Sequence, residues 1–107
     1  MMSQKAVFVV IPDDREERAI ALVEDAGATG VTALSARGVG KHARKTFFGA
    51  RFSGAQSALI MLVPEDKVTP IMSCLDEVIY EGQEAHGICF TVPVEQISPP
   101  EPSTGSS

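Results

Sequence analysis

The chain has 107 residues, 44 % of them hydrophobic, and a formal net charge of −5. That length supports one compact core, and no stretch reaches the ~20 apolar residues that a membrane-spanning helix needs. An acidic chain of this kind also argues against a general nucleic-acid binder, which is basic over a whole face.

Lys5 to Ile11, KAVFVVI, is a β-branched apolar run ending at Pro12, and it predicts a buried strand. Pro12-Asp13-Asp14 opens a helix, with acids in its first turn complementing the dipole. Ile20, Leu22, Val23 and Ala26 fall near one face of it, Glu16, Glu17 and Glu24 are spaced to reach solvent, and Gly27 stops it. Val31 to Ala36 alternates apolar with polar or small residues and predicts a second strand.

From Arg37 to Gln56 the bases cluster, glycines recur and no periodicity is sustained, so this is a long loop of the kind that carries function or disorder. Ser57 to Val63, SALIMLV, is a third strand. A second helix follows Pro64-Glu65-Asp66, with Val68, Ile71, Met72, Leu75, Val78 and Ile79 at helical spacing. Pro70 inside that pattern suggests Thr69 as the cap and Pro70 at the first helical position. Gly82 to Gly87 is a loop, and Ile88 to Val94 is the last strand, where Pro93 marks an edge or a bulge.

The order β-α-β-β-α-β predicts an α+β, ferredoxin-like domain: a four-stranded antiparallel sheet with two helices on one face. Residues 1–97 form that domain, and residues 98–107, SPPEPSTGSS, are expected to be a disordered tail because nothing in them can dock. Val31, Ala33, Leu59, Met61 and Val63 imply that the uncovered sheet face is not wholly polar, so an oligomer packing sheet against sheet is expected. The N-terminus has no small-residue cleavage site before Asp13 and Asp14, so a cytoplasmic protein without membrane insertion is expected.

Chemistry-bearing constellations are sparse. Cys74 and Cys89 sit in apolar settings and read as buried free thiols. His42 and His86 have no spacing that demands a metal site, and no serine has a nucleophile-elbow context. The chain contains no Asn, which excludes the phosphatase chemistry of acylphosphatase-like domains of the same strand order. No catalytic residue is assigned and a non-enzymatic protein is expected.

The glycines and the charge asymmetry say more. No acid lies between Ala26 and Pro64, whereas Arg37, Lys41, Arg44, Lys45 and Arg51 all do. Such a segment suits a small anion, a phosphate-bearing ligand or an acidic partner, and equally a solvated loop made basic for solubility. Arg37-Gly38-Val39-Gly40-Lys41 leaves a strand with backbone free to approach a phosphate. Gly82 and Gly87 bracket a second loop that also adjoins a strand, and the two loops suggest one cleft between subunits.

These residues resemble the PII signal-transduction family. SARGVGKHARK is similar to the base of that family's long T-loop, Lys-Gly-Phe-Gly-Arg-Gln-Lys. MLVPEDKV is similar to its third strand entering the second helix, and EGQEAHGICFTVPVEQI to its B-loop and last strand. The resemblance runs from Lys5 to Ile97, with a shortened T-loop. It implies a homotrimer that binds adenine nucleotides in inter-subunit clefts and regulates a partner, such as a membrane transporter, through the T-loop.

Carried over by position, Gly38 and Gly40 match the T-loop-base glycines, Gly82 and Gly87 the B-loop glycines, and Phe90, Pro93 and Glu95 the last strand. These four glycines, with Arg37 and Lys41 supplying charge beside the first pair, are the candidate ligand-binding residues. In the shortened T-loop, Arg44, Lys45, Phe47, Phe48 and Arg51 put an aromatic pair among cations, which suits a partner-binding loop. Phe47 and Phe48 suit at least as well packing onto the subunit's own core or the trimer interface. The family's phosphate-facing Lys and Arg positions hold Ile88, Pro99 and Glu101 here, and its T-loop Gln and Lys hold His42 and Ala43. Those departures imply a less charged ligand than ATP, such as AMP, ADP or bicarbonate. The only Tyr is Tyr80, outside the T-loop, so uridylylation there is not expected. The alternatives are a CutA-like trimer binding a divalent metal through His42, His86 or a cysteine, and a small ferredoxin-like isomerase or hydrolase using Glu84 and His86.

Overall fold

The computed structural model describes residues 4–36 and 54–98. Strand β1 (Gln4–Pro12) ends at its proline and passes through a single 3-10 turn, Asp13–Arg15, into helix α1 (Glu16–Asp25). Asp13, Asp14, Glu16 and Glu17 crowd the start of this helical run, where the exposed N–H groups favour negative charge. The helix ends in paired backbone bonds, Ala28 N–H to the Val23 carbonyl at 2.9 Å and Gly27 N–H to that of Glu24 at 3.1 Å. Gly27 supplies the φ of 118° that this terminator requires, and Ala28 and Val23 both join the core.

Strand β2 (Thr32–Ala36) and strand β3 (Gln56–Pro64) follow, then a 3-10 turn, Glu65–Lys67, and helix α2 (Val68–Ile79). Thr69 is not the cap: the helix begins at Val68, and Pro70 is its third residue. A proline is tolerated in the first turn of an α-helix, where its fixed φ fits and its missing N–H costs least. The segment expected as a plain loop is a small hairpin of β4 (Tyr80–Glu81) and β5 (Glu84–Ala85), after which β6 (Ile88–Pro93) completes the domain.

The sheet order is β2-β3-β1-β6 with every pair antiparallel, the ferredoxin-like arrangement. Alternation sorts each strand onto two faces. Val7, Val9 and Ile11 of β1 and Leu59 and Val63 of β3 have no exposed surface, and Met61 has almost none. They meet Ala19 and Val23 of α1 and Ile71, Leu75 and Val78 of α2. Each such aliphatic side chain contributes about 1.5–3 kcal/mol by leaving water.

The other face has no helix over it. Register places Thr32, Ile60, Phe8 and Phe90 in one row across it, and Leu34, Ala58, Val10 and Ile88 in the next. Leu34, Leu62, Phe90 and Val92 are exposed there. The uncovered face is therefore apolar, as expected, but through different residues: Leu59, Met61 and Val63 point under the helices, and Ala33 shares their face. The sequence pattern of β3 is apolar at nearly every position, so alternation alone does not tell one face from the other.

Candidate functional site

One end of the sheet gathers the segments singled out by the sequence. β1 and β2 finish there and β3 and β6 begin, with Gln56 registered against both Ala36 and Pro12, and Ile88 against Val10. The chain leaves this end after Ala36 and returns at Gly54, and the β4–β5 hairpin projects from the same end. β2 and β6 are the two edge strands, so their loops start about 14 Å apart, three strand spacings, within one chain.

Arg37, Gly38, Gly40 and Lys41, and the whole proposed partner loop of Arg44, Lys45, Phe47, Phe48 and Arg51, lie outside the described residues. Gly82 and Gly87 are described, and their environments differ. Gly82 is exposed at the first central position of the two-residue hairpin turn, with φ of 63° and open space where a Cβ would sit. Gly87 is buried, and a Cβ on it would stand 2.6 Å from the Val10 carbonyl oxygen and 2.8 Å from Ile11 Cγ2. Close passage of the chain over β1 accounts for glycine at 87 without a ligand.

Beside α2 and edge strand β6 lies an open cleft of about 950 Å³. Met72, Ile79, Ile88 and Phe90 give it an apolar wall, and Thr69, Ser73, Asp76 and Tyr80 a polar one. Gly87 and Ala85 close it toward the hairpin, and no cation lines it among the described residues. Cys89 also lines it, as a free thiol that is half-buried rather than fully buried. Burial is the main cause that pushes this thiol up to about 11, with smaller contributions from Cys74 and Asp76. Cys74 on α2, also half-buried, donates to the Ile71 carbonyl; desolvation raises its thiol too, against a contact with its own backbone N–H that lowers it.

The hairpin is acidic and pinned. His86 N–H donates to the Ile79 carbonyl at 2.7 Å, and its Nε2 lies 3.2 Å from Glu84 and 3.6 Å from Glu81. Arg15, from the turn after β1, donates through Nη1 to the Val78 carbonyl at 2.8 Å and through Nη2 to Glu81 at 3.0 Å. Together these groups occupy terminal carbonyls of α2 that have no intrahelical partner. Glu16, expected in solvent, instead accepts a 2.5 Å bond from the buried hydroxyl of Ser57. Neither Arg15 nor Ser57 was singled out from the sequence, because their partners are 63 and 41 residues away. Among the described residues no group of three His, Cys, Asp or Glu side chains is arranged to hold a metal ion. None of the described helices is long and apolar enough to cross a membrane.

No curated protein matches the chain. Solved structures share its fold. A PII-like protein from Thermus thermophilus is 25 % identical, with a TM-score of 0.64 over 87 % of this chain and 88 % of its own. CPII, a nitrogen regulatory PII-like protein from Thiomonas intermedia bound to ADP, AMP and bicarbonate, is 21 % identical, with a TM-score of 0.62 over 89 % and 96 %. Arabidopsis thaliana PII bound to citrate is 22 % identical, with a TM-score of 0.66 over 87 % and 78 %. The family model of nitrogen regulatory protein P-II matches residues 4–99, nearly the whole chain, and the chain therefore belongs to that family.

Proposed function

We propose that this protein is a homotrimeric PII-like signalling regulator that binds an adenine nucleotide of low charge, AMP or ADP, or bicarbonate, between its subunits. The observation that carries the reading is the placement of the two loop systems on opposite edges of one sheet, at the same end. A ring of copies brings the β2 edge of one subunit beside the β6 edge of the next, so Gly38 and Gly40 of one chain meet the Gly82–Gly87 hairpin of another. The apolar open face supplies the driving force for assembly. CPII bound to ADP, AMP and bicarbonate supports the ligand class.

Charge supports the preference for few phosphates. The described hairpin carries Glu81 and Glu84, with His86 beside them, and no Lys or Arg. A triphosphate brought close to those carboxylates gains repulsion and loses water, with only Arg37 and Lys41 of the proposed site to offset its charge. Within this reading the role is regulatory rather than catalytic, exercised in the cytoplasm. The segment containing Arg44, Lys45, Phe47, Phe48 and Arg51 contacts the regulated protein, with a membrane transporter as the leading target class. Isothermal titration of AMP, ADP, ATP and cyclic AMP, each with and without bicarbonate, tests the ligand claim. Saturation by AMP or ADP near one per chain is expected, and tighter binding of ATP than of AMP contradicts the low-charge reading.

A further inference from the structure

The turn between β1 and α1 is bonded to both segments that frame this end of the sheet. On one side it holds the point where the chain returns into β3: Asp13 N–H donates to the Ala55 carbonyl at 3.1 Å, and Ser57 Oγ donates to Glu16 Oε1 at 2.5 Å. The return point is itself braced, since the Gln56 side chain donates to the Gly54 carbonyl at 2.7 Å. On the other side Arg15 reaches the end of α2 through Val78 and the flank of the hairpin turn through Glu81. Asp13, Arg15 and Glu16 occupy a single 3-10 turn and the first residue of α1, so one short rigid element touches both loop systems.

We propose that Arg15 is a positioning residue that couples the β4–β5 hairpin to the root of the Arg37–Ser53 segment through this turn. The importance of that coupling rests on reading the hairpin as a ligand element and the segment as a partner element. The chemistry suits the task. A guanidinium is planar and rigid, and here its two terminal nitrogens donate to two different groups, a helix-end carbonyl and a hairpin carboxylate. The Val78 carbonyl belongs to the last turn of α2, where a cation is also favoured by the helix dipole. With its side chain three-quarters buried, Arg15 cannot follow a displaced hairpin and keep both bonds unless the turn moves too. A moving turn pulls on Ala55 and Ser57, which are bonded to it at the start of β3.

Amide hydrogen exchange on the intact, nucleotide-free protein tests this, with Arg15→Gln, Arg15→Lys and Ser57→Ala compared with the parent. In Arg15→Gln, exchange is expected to rise roughly tenfold, the size of losing a charge-assisted bond, at His86 and also at Asp13 and Ser57. Arg15→Lys keeps the charge but not the two-pronged geometry and falls between the two. Ser57→Ala is expected to raise exchange at His86 in turn, because coupling is reciprocal. The amides of Val9 and Met61 in the central strands serve as the control and stay unchanged. The proposal is overturned if Arg15→Gln loosens the hairpin alone, if Ser57→Ala leaves His86 unaffected, or if the control amides accelerate equally with the rest. Because no nucleotide is present, a failure of AMP to bind leaves this test intact and counts only against the ligand reading.

Discussion

The rings of Phe8 and Phe90 stack 5.2 Å apart and within 7° of parallel, on the sheet face that neither helix covers. Phe90 is 44 % exposed in the single chain, and Leu34, Leu62 and Val92 share that face. Strands β1, β2, β3 and β6 all contribute to it, so the apolar surface is continuous across the sheet. A face of this kind is costly in water and is relieved by association.

Leu62→Glu is expected to split the assembly into monomers while leaving the fold intact. Leu62 is exposed in the single chain, so a carboxylate there stays hydrated until another copy covers it. Burying it unpaired costs several kcal/mol, on the order of a hundredfold or more in association. Sedimentation velocity reads the assembly state and circular dichroism the fold. A trimer that persists in this variant contradicts the placement of the interface on the open face.

Gly87→Ala is expected to lower stability by about 1–3 kcal/mol, the usual cost of overpacking, because the new methyl group meets the Val10 carbonyl and Ile11. Gly82→Ala has room for its methyl group and costs only the left-handed backbone, about 1–2 kcal/mol at an exposed turn. Urea denaturation of the two variants checks the order. Ligand binding lost in Gly87→Ala is thus not evidence that Gly87 touches the ligand, whereas loss in Gly82→Ala with an intact fold is.

Cys89 gives a pH signature. Its folded thiol is pushed up to about 11, from an ordinary value of 9.0, so between those values the unfolded chain releases the proton and the folded chain keeps it. Folding stability is therefore fully present below about pH 9 and declines as pH rises toward 11. Cys89→Ala is expected to lack this portion of the alkaline decline when the two proteins are denatured side by side across that range. Identical slopes contradict a protonated thiol at the cleft. The same protonation makes Cys89 slow toward iodoacetamide near pH 8 relative to a free thiol in solution.

Much of the fold was legible because local signals agreed. The apolar runs of β1, β3 and β6, the prolines at their ends and the helical spacing from Val68 to Ile79 each pointed to the same element order. The start of α2 was misplaced because Thr-Pro has the chemistry of a cap, yet the preceding 3-10 turn had already begun the helical winding at Glu65. Glu16 was assigned to solvent because spacing on a helix says nothing about a hydroxyl contributed by a strand 41 residues later.

The candidate site was legible only in part. Gly82 and Gly87 carried the same letter for two unlike reasons, a turn requiring positive φ and a close approach to β1. Only the registered partner strand distinguishes them. Arg15 gave no signal at all, since a base in an acidic helix start resembles any surface residue until Val78 and Glu81 are placed beside it. The cations and aromatics from Arg37 to Arg51 were the clearest feature of the sequence, and they lie outside the described residues.

The central claim is that ligand binding belongs to the assembled clefts and not to the single chain. Isothermal titration of AMP into the parent protein and into the monomeric Leu62→Glu variant tests it most directly. Saturation near one AMP per chain in the parent, with binding abolished in the monomer, is the expected result. Equal AMP affinity in both proteins, or none in the parent, contradicts it.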